Sequence, residues 1–190
     1  MSFTEDFSGT SDSQLLAKPG WVAGVGTPST FTINSTGSLS KSSSSPAPTT
    51  IERPSDTSPQ QVVRADFLSA SATALGIFAF GTGSDSASFN CYYLSISSLT
   101  ACRVRRVKDG AIVATNLISI SGLANVNGLE MRVTYSPGGS TTIQVFQAGN
   151  PDALGSYTDN GQTNPQLTGG RRGIIMTGTG AVTEIGRAHV

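Results

Sequence analysis

Histidine is almost missing from this chain: the one example, His189, is the penultimate of 190 residues. Without a well-placed imidazole, a Ser or Cys nucleophile has no ordinary base to activate it. No serine lies in a nucleophile-elbow motif either. Cysteine is nearly as scarce, with Cys91 and Cys102 the two present. A zinc site of the usual kind is therefore excluded. The two flank "NCYYLSISSLTAC", which reads as strand, turn, strand, so they form either a cross-hairpin disulfide or two buried thiols. Charge is low as well, at 13%, and 12 Lys and Arg balance 12 Asp and Glu. A net charge of zero implies no electrostatic attraction to nucleic acid or an anionic membrane. No apolar run approaches membrane-spanning length. The opening "MSFTEDFSG" puts Glu5 and Asp6 where a signal peptide carries basic and then apolar residues. Either export does not use that route or the true start lies upstream.

Helical periodicity is also absent beyond two turns, and no solenoid or propeller repeat is found. Ser, Thr and Gly dominate instead, as in extracellular or virion β-proteins with many short strands. Apolar residues make up 37%, enough for a real core in one domain of this length. Most segments alternate with period two or hold β-branched runs between Gly, Pro, Asn or Ser. "FTEDFSG" reads as a first strand with Phe3 and Phe7 as anchors, followed by "WVAGV" (21–25) and "TFTINSTGSLSK" (30–41). "QVVRADF" puts Val63, Ala65 and Phe67 on one face, opposite Val62, Arg64 and Asp66. "ALGIFAFG" (74–81) is apolar throughout, so both its faces are covered. "RVKDGAIV" holds the tight-hairpin pair Asp109-Gly110. "GLEMRVTYSPGGSTTIQVFQAG" is a second hairpin, with Leu129, Met131, Val133 and Tyr135 sharing a face and its turn at Pro137-Gly138-Gly139. "GSYTDNG", "GGRRGIIMTG" (169–178) and "AVTEI" complete the strands.

Residues 42–59 break the pattern. Pro46, Pro48, Pro54 and Pro59 each lack a backbone donor and disfavour interior strands. The segment reads as a long surface connection with one edge strand around 49–53, crossing over within one domain because too little chain precedes it for an independent unit. About a dozen short antiparallel strands argue for a sandwich or barrel.

The order of these segments resembles the concanavalin A-like, laminin G-like jelly-roll superfamily in its phage and bacterial surface form. The matching stretches are "FTEDFSG", "GWVAGVG", "FNCYYLSI", "RVKDGAIV", the long second hairpin, "SYTDN" and "GRRGIIMTG". The resemblance implies an all-β, two-sheet antiparallel jelly-roll sandwich over residues 1–184. It also implies a closing strand that pairs near the first. "AVTEI" begins that strand. "EIGRAHV" then ends the chain, and read back into codons it resembles the start of a sequencing adapter. Residues 185–190 are accordingly expected to be a non-native tail, with the last strand truncated and His189 carrying no functional weight.

Some members of this superfamily are glycoside hydrolases, which need two carboxylates flanking the sugar bond. On one strand these would stand two or four residues apart. Glu5, Glu130 and Glu184 have no such acidic neighbour, Glu52 has Asp56 four residues on but across Pro54 in the proline-rich stretch, and Glu130 has Arg132 at that spacing. The chain is therefore expected to be non-catalytic. Gly169, Gly170 and Gly173 open no predicted helix, so a phosphate loop is not supported. "RVRRVK" (103–108) reads as a solvated strand face rather than a nucleic-acid site. Asn34-Ser35-Thr36 matches a glycosylation acceptor, which means little without a secretory context.

Sugar binding is the positive expectation. It pairs a flat aromatic with polar side chains, and Trp21, Tyr92, Tyr93, Tyr135 and Tyr157 are the candidate rings. Tyr92 and Tyr93 must point to opposite faces, so one is expected in the core and the other displayed beside Arg103 or Arg105. The ligand-binding candidates are thus Trp21, Tyr92, Tyr93, Arg103, Arg105 and Tyr157. No cofactor is expected. Calcium, which relatives with this fold bind, has weak loop-side candidates in Asp85, Asp109 and Asp159, with Asn90 and Asp152 as further oxygens. The implied role is a carbohydrate-binding-like module of a phage virion or bacterial surface, meeting a glycan or a virion protein. The alternatives are a purely structural virion module and a fragment of a larger glycan-active enzyme.

Overall fold

The computed structural model describes residues 4–5, 13–14, 20–26, 31–33, 39–41, 45–56, 58–68, 75–113, 115–161, 166–178 and 185–189. Phe3, Phe7, Asn34-Ser35-Thr36 and Glu184 lie outside them. The strands are β1 (Thr4–Glu5), β2 (Ser13–Gln14), β3 (Val22–Ala23), β4 (Phe31–Ile33), β5 (Leu39–Lys41), β6 (Ser45–Asp56), β7 (Gln60–Phe67), β8 (Leu75–Thr82), β9 (Asn90–Ser98), β10 (Ala101–Lys108), β11 (Ala111–Ile112), β12 (Ile118–Ser121), β13 (Leu129–Ser136), β14 (Ser140–Gln147), β15 (Gly155–Asp159), β16 (Gly170–Gly178) and β17 (Ile185–His189). Among the described residues there is no helix, and all pairing is antiparallel. One sheet runs β15-β14-β13-β7-β17-β5-β4-β2, with β1 on β17; the other runs β11-β10-β9-β8-β16-β6-β3, with β12 on β10.

Side-chain alternation decides what lies between the sheets. Val63, Ala65, Phe67, Leu129, Met131, Val133, Ile143 and Val145 come from the first sheet. They pack against Ile51, Ile77, Tyr92, Leu94, Ile96, Val104 and Ile174 of the second. Each large side chain buried this way contributes roughly 1.5–3 kcal/mol relative to exposure. The expected faces of β7 and β13 are those observed. β8 is covered on both sides: Ile77 and Ala79 join the inter-sheet core, while Phe78 joins a second cluster on the outward face with Val25, Phe89, Cys91, Tyr93, Val107 and Ile175. Cys91 and Cys102 are buried free thiols in different clusters, and the register pairs Cys91 with Val107 and Cys102 with Ile96.

The β10–β11 hairpin turns at Asp109 and Gly110, with φ of 47° and 73°, as a tight hairpin turn with two left-handed residues requires. A Cβ on Gly110 would sit 2.1 Å from the Ser86 carbonyl oxygen, so the 83–89 loop also depends on that glycine. Gln61, fully buried, ties the two sheets. Its amide oxygen accepts from the Phe80 N–H at 2.9 Å and its Nε2 donates to the Gly170 carbonyl at 2.6 Å. Both partners lie where ladders slip register, between Ala79 and Thr82 and just before Gly173.

The proline-rich stretch differs from its expected form. Ser45–Asp56 is a twelve-residue strand, paired along β16 and touched by β3 only at Glu52 and Ile51. The reason is phase. Thr50 sends its N–H and C=O away from β16, to Val25 and Gly24. Pro48 is two residues earlier, so its missing donor faces that same side, where β3 does not reach, and its carbonyl accepts from the Ser86 hydroxyl at 2.8 Å. A proline whose absent N–H points off the ladder costs no ladder bond. At the other end of the chain, Ile185–His189 pairs with β1 through Thr4↔His189 and Glu5↔Ala188, and with β7 from Phe67 to Arg64. That is the place beside the first strand where the resemblance puts the closing strand.

Candidate functional site

The outward face of the second sheet gathers the polar side chains that alternation keeps out of the core. On β10, Cys102, Val104 and Arg106 turn inward, so Arg103 and Arg105 turn outward. Arg103 stands opposite Ser95 on β9 and Ser119 on β12, and Arg105 stands opposite Tyr93. Beside them a groove of about 190 Å³ is lined by Ser97, Arg103, Asn116, Ser119 and Ser121, over Ala101, Cys102 and Ile120. Arg105 Nε donates to Asn116 Oδ1 at 2.7 Å. Partial burial, and then the like charge of Arg105, push the Arg103 guanidinium below its usual range.

Of the six sequence candidates, Tyr93, Arg103 and Arg105 come together here and three do not. Tyr93 is 3% exposed, and neither adjacent tyrosine displays a ring. The expected split between core and display fails because the outward face carries its own apolar cluster around Phe78, Phe89 and Val107, which closes over Tyr93. Tyr92 is wholly buried between the sheets, its hydroxyl donating to Asp159 Oδ2 at 2.5 Å. Burial and that carboxylate push its phenol up. Trp21 is buried in the inter-sheet core, with the Arg53 guanidinium 5.6 Å from its ring centre. Tyr157 and Tyr135 are half-buried against the core.

The reading of 103–108 as a solvated face also needs correction. Arg106 is 3% exposed and pairs with Asp159 at 2.8 Å. The inward phase of β10 carries it inside, and the acid on β15 makes that position tolerable.

One buried acid on the outward side of β6 was missed as a structured group. Glu52 is 2% exposed. It accepts from the Thr50 hydroxyl at 2.8 Å and pairs with Arg171 at 3.0 Å. Thr50 Oγ1 in turn accepts from the Val25 N–H at 2.9 Å. Desolvation raises the Glu52 carboxyl above its ordinary value, against the opposing effects of Thr50 and Arg171. A Cβ on Gly24 would fall 2.0 Å from Thr50 Oγ1 and 2.4 Å from Glu52 Oε1, so a glycine there lets β3 close over the acid. The sequence signal was available in "TTIER", a β-branched run whose alternation sets Glu52 opposite in phase to Ile51. Glu130, by contrast, sits as expected, accepting from Arg132 Nε at 2.5 Å.

The calcium candidates are separately engaged. Asp85 accepts from the Ala87 and Ser88 N–H groups and the Ser88 hydroxyl, which holds its carboxyl low. Asp109 meets Asn90, and Asp159 is committed to Arg106 and Tyr92. Among the described residues no three His, Cys, Asp or Glu side chains converge. Calcium needs several oxygens around one point, and Asp85, Asp109 and Asp159 do not supply them together.

No family model and no curated protein matches the chain in sequence. The architecture is the concanavalin-like jelly roll. It is similar to Bacillus licheniformis β-glucanase at 12% identity, with a TM-score of 0.58 over 99% of this chain and 96% of that one. It is similar to the Crh5 transglycosylase in complex with NAG at 8% identity, with a TM-score of 0.58 over 99% and 82%. The VIP36 exoplasmic/lumenal domain in its Ca2+/Man2-bound form matches at 12% identity, with a TM-score of 0.50 over 99% and 86%. These neighbours are glycan-binding or glycan-active proteins. They overturn the expectation of a non-catalytic chain: a glucanase and a transglycosylase are built on this same fold. The sequence argument looked for two acids along one strand, whereas acids on neighbouring strands also stand about 5 Å apart. Among the described residues no helix is long and apolar enough to cross a membrane.

Proposed function

We propose that this chain is a carbohydrate-recognition domain that meets glycans through the outward face of its second sheet, at an extracellular or virion surface. The observation that carries this reading is the groove beside β10, walled by three serine hydroxyls, one asparagine amide and one guanidinium. Such a set offers donors and acceptors to the hydroxyls of a sugar ring. It contains no aromatic platform, so recognition would run through the ring's polar edge. The VIP36 domain in its Man2-bound form is consistent support from the same fold. The Ser, Thr and Gly-rich composition supports the exterior setting.

The test is a glycan array probed with the whole chain, followed by calorimetry on any hit. Binding that is lost in Asn116→Ala or Ser119→Trp supports the groove. Absence of binding to every sugar sinks the reading. The same hits, assayed for release of reducing ends, decide whether the bound glycan is also cut.

A further inference from the structure

We infer that the groove beside β10 takes an acidic sugar, one bearing a carboxylate or sulfate, with Arg103 in its wall and Arg105 beside it, bonded to the lining residue Asn116, supplying the counter-charge; this rests on the glycan reading above.

Residues two apart on a strand share a face, about 7 Å from one another. That places the guanidinium-bearing side chains of Arg103 and Arg105 together on the outward side of β10. Arg106, the next residue along the strand, turns inward and finds its carboxylate in Asp159 at 2.8 Å. Arg105 is held by a neutral amide, Asn116 Oδ1 at 2.7 Å, which orients the fork without cancelling its charge. Arg103 carries both partial burial and the repulsion of Arg105. An anion in the groove offsets that repulsion. Arginine's planar fork also matches a carboxylate or sulfate through paired hydrogen bonds.

The surrounding groups narrow the class. Ser97, Ser119 and Ser121 bring hydroxyls to the same groove, which suits a ring carrying hydroxyls beside its charge. A volume of about 190 Å³ is below the roughly 300–1,000 Å³ of sites for drug-sized ligands, so it accommodates one ring. Nucleic acid fits less well. The groove lining holds no aromatic ring on which a base would stack, and the chain's net charge is zero.

The experiment measures binding of the whole chain to oligoglucose, to oligoglucuronate of equal length, to a sulfated oligogalactose and to a single-stranded oligonucleotide of equal charge. The expected result is that an acidic oligosaccharide binds about tenfold or more tightly than the neutral one. That margin shrinks as salt rises from about 0.05 to 0.5 M. Arg103→Gln and Arg105→Gln each remove most of the margin, and Arg103→Lys restores only part of it. Ser119→Trp, at an exposed position, blocks the groove without touching either charge and abolishes acidic and neutral binding alike. Equal affinity for neutral and acidic sugars overturns the charge assignment while leaving the glycan reading intact. So does a margin that survives in the folded double variant. Tighter binding of the oligonucleotide than of the oligoglucuronate overturns it in favour of nucleic acid. No binding of any sugar sinks both.

Discussion

Arg106 reaches Asp159 at 2.8 Å between the sheets, joining β10 of one to β15 of the other. Tyr92 donates to the same carboxylate oxygen, and the Gly161 N–H supplies the other one at 2.9 Å. A charge buried this way is tolerable only while its partners remain. Arg106→Ala is therefore expected to cost about 3–5 kcal/mol, because it strands the acid. The combined change Arg106→Met, Asp159→Leu and Tyr92→Phe should recover much of that loss. Urea unfolding of both variants checks it, and a loss below about 1 kcal/mol for Arg106→Ala would count against a buried pair.

This pair marks where the sequence was legible and where it was not. Alternation set Val63, Ala65 and Phe67 on one face, which is the core face, and Asp109-Gly110 marked a tight turn. Both follow from local geometry. Arg106 did not follow, because its burial depends on an acid 53 residues away that the strand pattern does not connect to it. Pro48 was misread for a similar reason: whether a proline spoils a ladder depends on which side its missing donor faces, and only the neighbouring strands settle that. At the site, phase predicted that Tyr92 and Tyr93 diverge, and they do. It had no means of showing that the outward face carries a second apolar cluster. Arg103 and Arg105 were legible as alternative neighbours of a displayed tyrosine; the groove beside them needed Asn116 and Ser119, brought in by the return of the chain through β12.

Glu52 gives the stability a pH dependence of definite sign. Its carboxyl is raised above the ordinary 4.5, chiefly by desolvation. The folded state therefore holds this proton more tightly than the unfolded chain does. Between the two values the folded state binds more protons, so stability falls as pH climbs through that window. The contribution is complete below 4.5 and is lost above the folded value. The unfolding free energy of the parent minus that of Glu52→Gln should fall on going from about pH 4 to 7. A signed difference that rises over that range contradicts a raised Glu52.

The thiols should be silent in the native state. Burial raises Cys91 well above its usual range and pushes Cys102 up to about 12. A thiol reagent attacks the thiolate, which is scarce for both at neutral pH and sealed in apolar surroundings. Titration with an aromatic disulfide reagent is expected to give no fast phase in buffer and two equivalents in denaturant. A rapid equivalent in buffer would mean that one of the two faces is open.

Gly24 is where β3 closes over Glu52 and Thr50, and it has no room for a side chain. Gly24→Ala puts a carbon 2.0 Å from Thr50 Oγ1 and 2.4 Å from Glu52 Oε1, both buried groups already engaged with one another. Relief moves either the Thr50 and Glu52 side chains or β3, which disturbs the Val25 N–H bond to Thr50 Oγ1 or the Thr50 bond to Glu52. Overpacking of this kind costs about 1–3 kcal/mol. Trp21, the one tryptophan, lies at the start of the same segment and is 5% exposed, so its emission reports the movement directly. The expected outcome is a red-shifted native spectrum together with a lowered unfolding midpoint. An unchanged spectrum with an unchanged midpoint would show that the segment tolerates the methyl group, and that Gly24 is not what lets β3 lie over the acid.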